Sequence, residues 1–404
     1  MEGLVAGVFV AVYAGMLLGR VPSLQLDRTG VALLGAIVLV AAEAVSLDAA
    51  VAAIDGPTMA LLFGFMVLSA QLRQSGFFAR VTWWLASRDT GPALLLGALV
   101  FGAGALSAVF SNDIVCLAAT PVLLEACRRR GLDPVPYLVG LACAANVGSA
   151  ATLVGNPQNM LIGEALGLEF AWYTLYALPP VVGGLALTWG VIALLTRGRW
   201  RQGEPGVPAT PPEVDGWQTG KGLVVAAALL VLFLWAPWPR ELLALAAAGI
   251  LLTSRRMHSR QTLGLVDWQL LVLFAGLFIV NHAFQATGLS AAALDWLAAR
   301  GLDLGAPLAL FVATPVLSNL VSNVPAVMLL LPAAQGESAG LILGLASGLA
   351  GNLLIIGSIA NIIVVGLASA GGVTISWRRH AALGVPVTLA TLALAGAWLW
   401  ALGA

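Results

Sequence analysis

Apolar positions along this chain run in long blocks, without the alternation of strands or the one-sided stripe of a soluble helix, so each block predicts a lipid-facing or buried helix. The blocks fall at about 4–20, 30–46 and 56–72, then a broken stretch 92–127, then 136–168 and 174–196. A connection rich in Pro, Gly and charge, 197–220, leads to 221–236, 240–253, 266–282, a second broken stretch 305–333, and finally 339–369 and 381–402. The order of block types repeats. Local sequence repeats with it: Ser75-Gly76 through Trp84-Leu85-Ala86-Ser87-Arg88 parallels Thr287-Gly288 through Trp296-Leu297-Ala298-Ala299-Arg300. Within the broken stretches, Ser111-Asn112-Asp113 interrupts the first and Ser322-Asn323 the second. Gly155-Asn156-Pro157-Gln158-Asn159 then parallels Gly357-Ser358-Ile359-Ala360-Asn361. Polar groups in hydrocarbon are expensive and persist mainly where they line a site, so a duplicated set points to function.

Composition fixes the class. The 404 residues are 60% hydrophobic and 9% charged, with a mean hydropathy of +0.96, whereas a soluble domain carries roughly a quarter charged residues. The chain is therefore read as a multi-pass protein of the cell inner (plasma) membrane. Net charge is zero and no basic cluster is interleaved with aromatics, which gives no indication of nucleic-acid binding. Glu2 ahead of the first block and the lack of a basic n-region predict a retained first helix. Cys116, Cys127 and Cys143 are odd in number and lie in apolar stretches, so they predict small buried side chains, not a disulfide framework.

Positive charge orients the two halves. Arg73, Arg80 and Arg88 precede the first broken stretch and Arg128, Arg129 and Arg130 follow it, so both its ends are expected inside. A segment that enters and leaves on one side is a re-entrant hairpin. Gln335-Gly336-Glu337 after the second broken stretch lacks positive charge, so that hairpin is expected to enter from outside, and both termini are placed outside (periplasmic). The expected fold is thus all-α integral membrane, with inverted-topology repeats, about ten transmembrane helices, two re-entrant hairpins and discontinuous helices. Residues 1–196 make the first repeat (hairpin 92–127, broken helix 136–168), 197–220 a cytoplasmic linker, and 221–404 the second (hairpin 305–333, broken helix 339–369). Amphipathic stretches 76–88 and 288–300, with Trp83, Trp84 and Trp296, read as interfacial helices, the alternative being that they continue the spans.

Backbone that leaves the helical path survives in a bilayer only where it faces protein or an aqueous cavity, and there it becomes a ligand. Helix N-termini suit an anion, while freed carbonyls and Asn side chains suit Na⁺ or a hydrogen-bonding neutral solute. Gly155-Asn156-Pro157 and Gly357-Ser358 are the predicted breaks, because Gly permits unusual φ and Pro157 removes a donor. The candidate substrate- and ion-binding residues are Ser111, Asn112, Asp113, Asn146, Gly155, Asn156, Asn159, Ser322, Asn323, Asn352, Gly357, Ser358 and Asn361. Asp113 has no acidic counterpart, Val324 standing in its place, and it is the one carboxylate expected near mid-membrane. Such a group carries a proton, holds a cation, or caps the hairpin. A candidate Na⁺ position lies at Asn112, Asp113 and Asn156; no resident metal or other cofactor is expected beyond H⁺ or Na⁺ as coupling ion. No Lys or Arg is expected at the midplane, which favours a small or weakly charged solute over a large tricarboxylate. His258 and His380 neighbour arginines in predicted cytoplasmic loops, and Glu125, Glu164 and Glu169 fall near span ends, where solvation is expected.

Phe110-Ser111-Asn112-Asp113 with Thr120-Pro121, followed by Asn146-Val147-Gly148-Ser149-Ala150-Ala151-Thr152-Leu153-Val154 and the Gly155–Asn159 segment, resembles the ion transporter superfamily over nearly the whole chain. That superfamily includes arsenite-efflux permeases, the P protein, citrate-metal carriers, an Na⁺/H⁺ antiporter group and divalent anion/Na⁺ symporters. The Asp after Asn112 is closest to the arsenite-efflux and P-protein branch. Symporters of dicarboxylates usually carry Ser-Asn-Thr at both tips, and this chain has Thr at neither. The resemblance implies a homodimer with a scaffold and a moving domain working by an elevator movement. It places Ser111, Asn112, Ser322 and Asn323 at hairpin tips and Gly155, Asn156 and Gly357 at broken helices. The expected function is ion-coupled (H⁺ or Na⁺) secondary active transport of a small anion or oxyacid, such as arsenite or a small carboxylate, with lipid as surroundings. Na⁺/H⁺ antiport through the same Asp113 is the alternative; a dicarboxylate or citrate symporter, a channel and an enzyme rank behind.

Overall fold

A computed structural model describes residues 1–19, 25–201 and 211–403. Every named element among them is helical. The first half contains α1 (Glu2–Leu18), α2 (Arg28–Ala41), α3 (Leu47–Ala53), α4 (Gly56–Gln74), α5 (Phe77–Ala86), α6 (Pro92–Val109), α7 (Asn112–Arg129), α8 (Pro134–Ser149), α9 (Pro157–Ala165) and α10 (Phe170–Leu195). The second contains α11 (Gly216–Trp235), α12 (Arg240–Leu252), α13 (Ser259–Leu263), α14 (Trp268–Ala286), α15 (Leu289–Ala298), α16 (Pro307–Val321), α17 (Asn323–Leu330), α18 (Gly336–Ala350), α19 (Ile359–Ala370) and α20 (Trp377–Leu402). Short 3₁₀ turns, Leu331–Ala333 and Ile355–Gly357, follow α17 and precede α19. Of the linker 197–220, residues 202–210 lie outside the described residues, as does the last residue of the first block.

Capping chemistry sets many of these starts. Asp27, Asp55, Asp133, Asp215 and Asp267 each accept from a backbone N–H two or three residues on, at 2.7–3.1 Å, which satisfies donors that an unbonded first turn would leave exposed. Ser376 does the same through the Arg379 N–H, so α20 begins at Trp377, earlier than the block at 381. His380 therefore lies in the first turn of α20, 1% exposed, and not in the expected loop. Glu164 departs from its expectation too: it is half-buried against Arg240, 3.1 Å away, and is not freely solvated.

Among the described residues, five helices are long and apolar enough to cross a bilayer, and six if α3 and α4, bent by 56°, form one span. The remaining apolar helices are shorter; α16, α17, α18 and α19 are so because the Ser322-Asn323 tip and the break at 351–358 divide the stretches on which they lie. Left-handed Gly76 and Gly288 turn the chain before α5 and α15, so these amphipathic segments are separate helices and do not continue α4 and α14. Arginines stack on their tryptophans, Arg88 over Trp84 at 3.9 Å and Arg300 over Trp296 at 3.7 Å.

Packing between the halves is reciprocal. Helix α4 packs on α12 and α11, and α14 on α2 and α1; α6 and α7 pack on α8, and α16 and α17 on α18. At the first pair a glycine lets backbones touch: a Cβ on Gly64 would lie 2.7 Å from the Ala244 carbonyl oxygen, and one on Gly276 would lie 2.8 Å from the Ala32 carbonyl carbon. Backbone cannot yield as a flexible side chain can, so a larger residue there must push two helices apart. Gly64→Val and Gly276→Val should each lower stability by about 1–3 kcal/mol, whereas Gly190→Val, which meets open space, should not; thermal unfolding in detergent measures the contrast.

Candidate functional site

Four helix N-termini converge on one small cavity. Its walls are Asn112 and Asp113 at the start of α7, Pro157 and Gln158 at the start of α9, Ser322, Asn323 and Val324 around the start of α17, and Ser358 and Ile359 at the start of α19. Leu270, in the first turn of α14, closes it, and its volume is about 30 Å³. That is room for about two water molecules. Helix N-termini point unsatisfied N–H groups and the positive ends of their dipoles at whatever lies before them, so the cavity is pre-organised for oxygen atoms bearing negative charge. It has no Lys, Arg or His among its lining residues.

Behind the cavity the candidate asparagines bond mostly to one another and to freed backbone. Asn146 on α8 is the centre, 1% exposed. Its Oδ1 accepts from Asn112 Nδ2 (3.2 Å) and Ser358 Oγ (2.8 Å), and its Nδ2 donates to Asn352 Oδ1 (2.9 Å) and Asn361 Oδ1 (3.3 Å). One amide thus joins the first hairpin tip, the end of α18 and the start of α19. Asn361 Nδ2 in turn donates to the carbonyls of Gly351 and Leu354, at 2.7 and 2.9 Å. With its amide nitrogen turned to donate, Asn323 reaches the Ser347 and Gly357 carbonyls at 3.2 Å each.

The break after α8 is held in the same way. Asn156 caps α9 through the Asn159 N–H (2.8 Å) and donates to Ser149 Oγ (3.0 Å); Asn159 Nδ2 donates to the Thr152 carbonyl (2.9 Å) and Tyr173 Oη (3.1 Å). Tyr173, in the first turn of α10, donates to the Ala150 carbonyl at 3.1 Å. His380 stands at the matching place in α20, with Nε2 3.2 Å from the Asn352 carbonyl oxygen. Gly155 is pressed against the Ser149 and Ser107 carbonyls, and Gly357 lies where a Cβ would come within 2.6 Å of Asn319 Oδ1.

The thirteen sequence candidates thus divide. Asn112, Asp113, Ser322, Asn323 and Ser358 line the cavity. Asn146, Asn156, Asn159, Asn352 and Asn361 are buried behind it, Gly155 and Gly357 give room for close backbone approach, and Ser111 occupies the first tip without lining the cavity. Asn156 bonds to Ser149 and caps its own helix, and is not among the residues lining the cavity. Asp113 makes no ion pair among the described residues. Asn112 Oδ1 and Asn319 Oδ1 are buried acceptors without a donor. Gln158, Asn319, Tyr173 and His380 were missed as site residues. Gln158 lies inside the Gly155–Asn159 motif and Asn319 interrupts an apolar run, so both carry a sequence signal; the contacts of Tyr173 and His380 depend on distant segments and carry none.

The two tips differ in backbone. Ser111 has φ −53° and ψ 126°, whereas Ser322 has φ 77° and ψ 160°, a region that is nearly glycine's alone and costs another residue about 1–3 kcal/mol.

Such a fold and site belong to a membrane transport protein. The sequence matches the CitMHS family, described as citrate transporter, over residues 13–342, and the chain belongs to that family. Its relatives agree. An uncharacterized transporter of Mycobacterium tuberculosis is 30% identical, with 97% of each chain covered. The silicon efflux transporter LSI3 of rice (Oryza sativa subsp. japonica) is 28% identical over 93% of this chain and 92% of its own. The inner membrane protein YbiR of Escherichia coli is 30% identical over 81% of this chain and 84% of its own. Among solved structures the YdaH transporter of Alcanivorax borkumensis shares the fold, with a TM-score of 0.60 at 14% identity over 98% of this chain and 97% of that one.

Replacing Ser322 by Gly should release the tip's backbone strain and raise the unfolding free energy by about 1 kcal/mol, after the extra freedom of glycine in the unfolded chain is subtracted. Ser111→Gly has no such strain to release and should be neutral or destabilising; denaturant titration in detergent distinguishes the two.

Proposed function

We propose that this chain is an ion-coupled secondary active transporter of a small oxyacid or anion, bound in the cavity at the four helix N-termini, with Asp113 as the coupling carboxylate. The convergence of those N-termini is the observation that carries the reading, because it supplies donors and positive potential without a cationic side chain. A cavity of about 30 Å³ favours a compact solute over citrate. Silicic acid and arsenite, small hydroxyl-bearing oxyacids that are largely neutral near physiological pH, fit its donors and the unpartnered Asn112 Oδ1 acceptor. The name of the rice relative adds weight to silicic acid.

The reciprocal packing of α4 with α12 and α14 with α2 supports two inverted repeats, residues 1–196 and 221–404, joined by the linker 197–220. We assign α1, α2, α4, α11, α12 and α14 to a scaffold, and the hairpins with their broken helices to a body that moves as an elevator within a homodimer in the cell inner membrane. Positive charge around the first hairpin supports an orientation with both termini outside. The Arg240–Glu164 pair links scaffold helix α12 to α9 of the moving body and has to part when that body shifts.

A second reading is Na⁺/H⁺ antiport, favoured by one observation: Asp113 stands next to an unpartnered Asn112 carbonyl in the same cavity, a pair of oxygens fit for a cation. In proteoliposomes, Asp113→Asn should abolish the dependence of arsenite or silicic acid uptake on a proton or Na⁺ gradient while the protein stays folded. Coupling that survives the substitution contradicts the assignment. Gradient-driven Na⁺/H⁺ exchange, lost in Asp113→Asn, with no uptake of either oxyacid, decides for the antiporter.

A further inference from the structure

A second, larger cavity of about 420 Å³ adjoins the first. It lies between the N-terminal ends of α2 and α14 on one side and the second hairpin tip and α19 on the other. Leu270, Ser322, Val324 and Ile359 line both cavities, so the outer one is a vestibule to the inner one. Its charged lining residues are Asp27, Arg28 and Asp267. The Arg28 guanidinium donates through Nε to the Met16 carbonyl (3.1 Å) and forms no ion pair among the described residues. Among the described residues, two carboxylates against one guanidinium line the vestibule, a balance that suits the approach of a cation better than that of an anion.

Asp267 is the carboxylate placed to act on the inner cavity. It is exposed at the start of α14, one helical turn before Leu270, whose side chain forms the wall shared by the two cavities. One of its oxygens accepts from the Leu270 N–H at 3.0 Å, which leaves the other for the vestibule. The inner cavity supplies an independent sign of a ligand: Asn112, 6% exposed and next to Asp113, presents a buried Oδ1 with no donor.

Capping alone does not account for Asp267, as its counterpart shows. Asp55 caps α4 through the Thr58 N–H at 2.7 Å, just as Asp267 caps α14. Asp55, however, lines neither of the two cavities. Asp267 instead faces open volume that leads to Asp113.

We propose that Asp267 is the positioning carboxylate through which the coupling cation reaches Asp113, and that the vestibule between α2, α14 and the second tip is that cation's path. This rests on the reading of Asp113 as the coupling residue. Asp267 concentrates the cation at the shared wall. Because it stands on a scaffold helix and Asp113 on a hairpin, the two carboxylates face each other only while the vestibule is open to the inner cavity, which makes the cation's access depend on conformation.

The test uses the full-length protein in nanodiscs. Cation-dependent thermal stabilisation is titrated with NaCl, replaced by choline chloride to hold ionic strength constant, and separately with protons. Asp113→Asn should remove the saturable response to one of the two cations and so identify it. Asp267→Asn, which keeps a good N-cap, should raise the half-saturating concentration of that same cation about three- to tenfold, and the difference should shrink at high ionic strength because the vestibule is open to salt. Asp55→Asn should leave it unchanged. An unaltered half-saturation in Asp267→Asn, with the response still lost in Asp113→Asn, overturns the role of Asp267 and leaves the coupling role of Asp113 intact. A response that persists in Asp113→Asn overturns both.

Discussion

An interrupted helix inside a bilayer exposes N–H and C=O groups that hydrocarbon cannot satisfy, and the architecture around the site follows from satisfying them. The chain breaks the apolar run in four places, at Ser111, at 150–156, at Ser322 and at 351–358. Asparagines do most of the repair. Asn361 takes the Gly351 and Leu354 carbonyls, Asn159 the Thr152 carbonyl, and Tyr173 the Ala150 carbonyl. The helix starts face a shared cavity, two of them with one N–H capped by their own side chain, Asn159 by Asn156 and Ala360 by Ser358. Carbonyl ends buried in protein and N-terminal ends at the cavity are therefore divided between the two sides of each break.

That division explains why Asn146 lies behind the cavity and still matters to it. An amide can accept twice and donate twice, and Asn146 does so across both halves of the chain, holding Asn112 and Ser358 in place while it contacts Asn352 and Asn361. Membership of the citrate transporter family and a cavity without basic side chains are compatible, because helix dipoles and amides can recognise an oxyanion without a guanidinium clamp. The two tips are not equivalent: Asp113 stands where the second half has Val324, and of the two tip serines Ser322 alone has a positive φ.

Much of this was legible in the sequence because the physical constraint acts locally. A Ser-Asn pair or a Gly-Asn-Pro run inside an apolar block is visible without knowing what packs against it, and so were the helix-rich fold and the transporter class. Asp267 and Asp55 look identical as N-caps; only tertiary placement puts Asp267, and not Asp55, at the vestibule. His380 read as a loop residue because the arginines before it resembled a cytoplasmic boundary, whereas the Ser376 cap draws Arg378 and Arg379 into the helix and buries the next residue. The pressing of Gly64 on Ala244 and Gly276 on Ala32 is invisible to hydropathy, since it depends on which helix packs opposite.

The proposed site for a small oxyacid lies between the opposed hairpin tips and the broken helices. The most direct measurement is an experimental structure of the protein in nanodiscs with arsenite, whose arsenic scatters strongly enough to be located. The account predicts arsenic density in the cavity bounded by Asn112, Asn323, Gln158 and Ser358. Density confined to the vestibule beside Arg28, with the inner cavity holding only solvent at saturating arsenite, would contradict it.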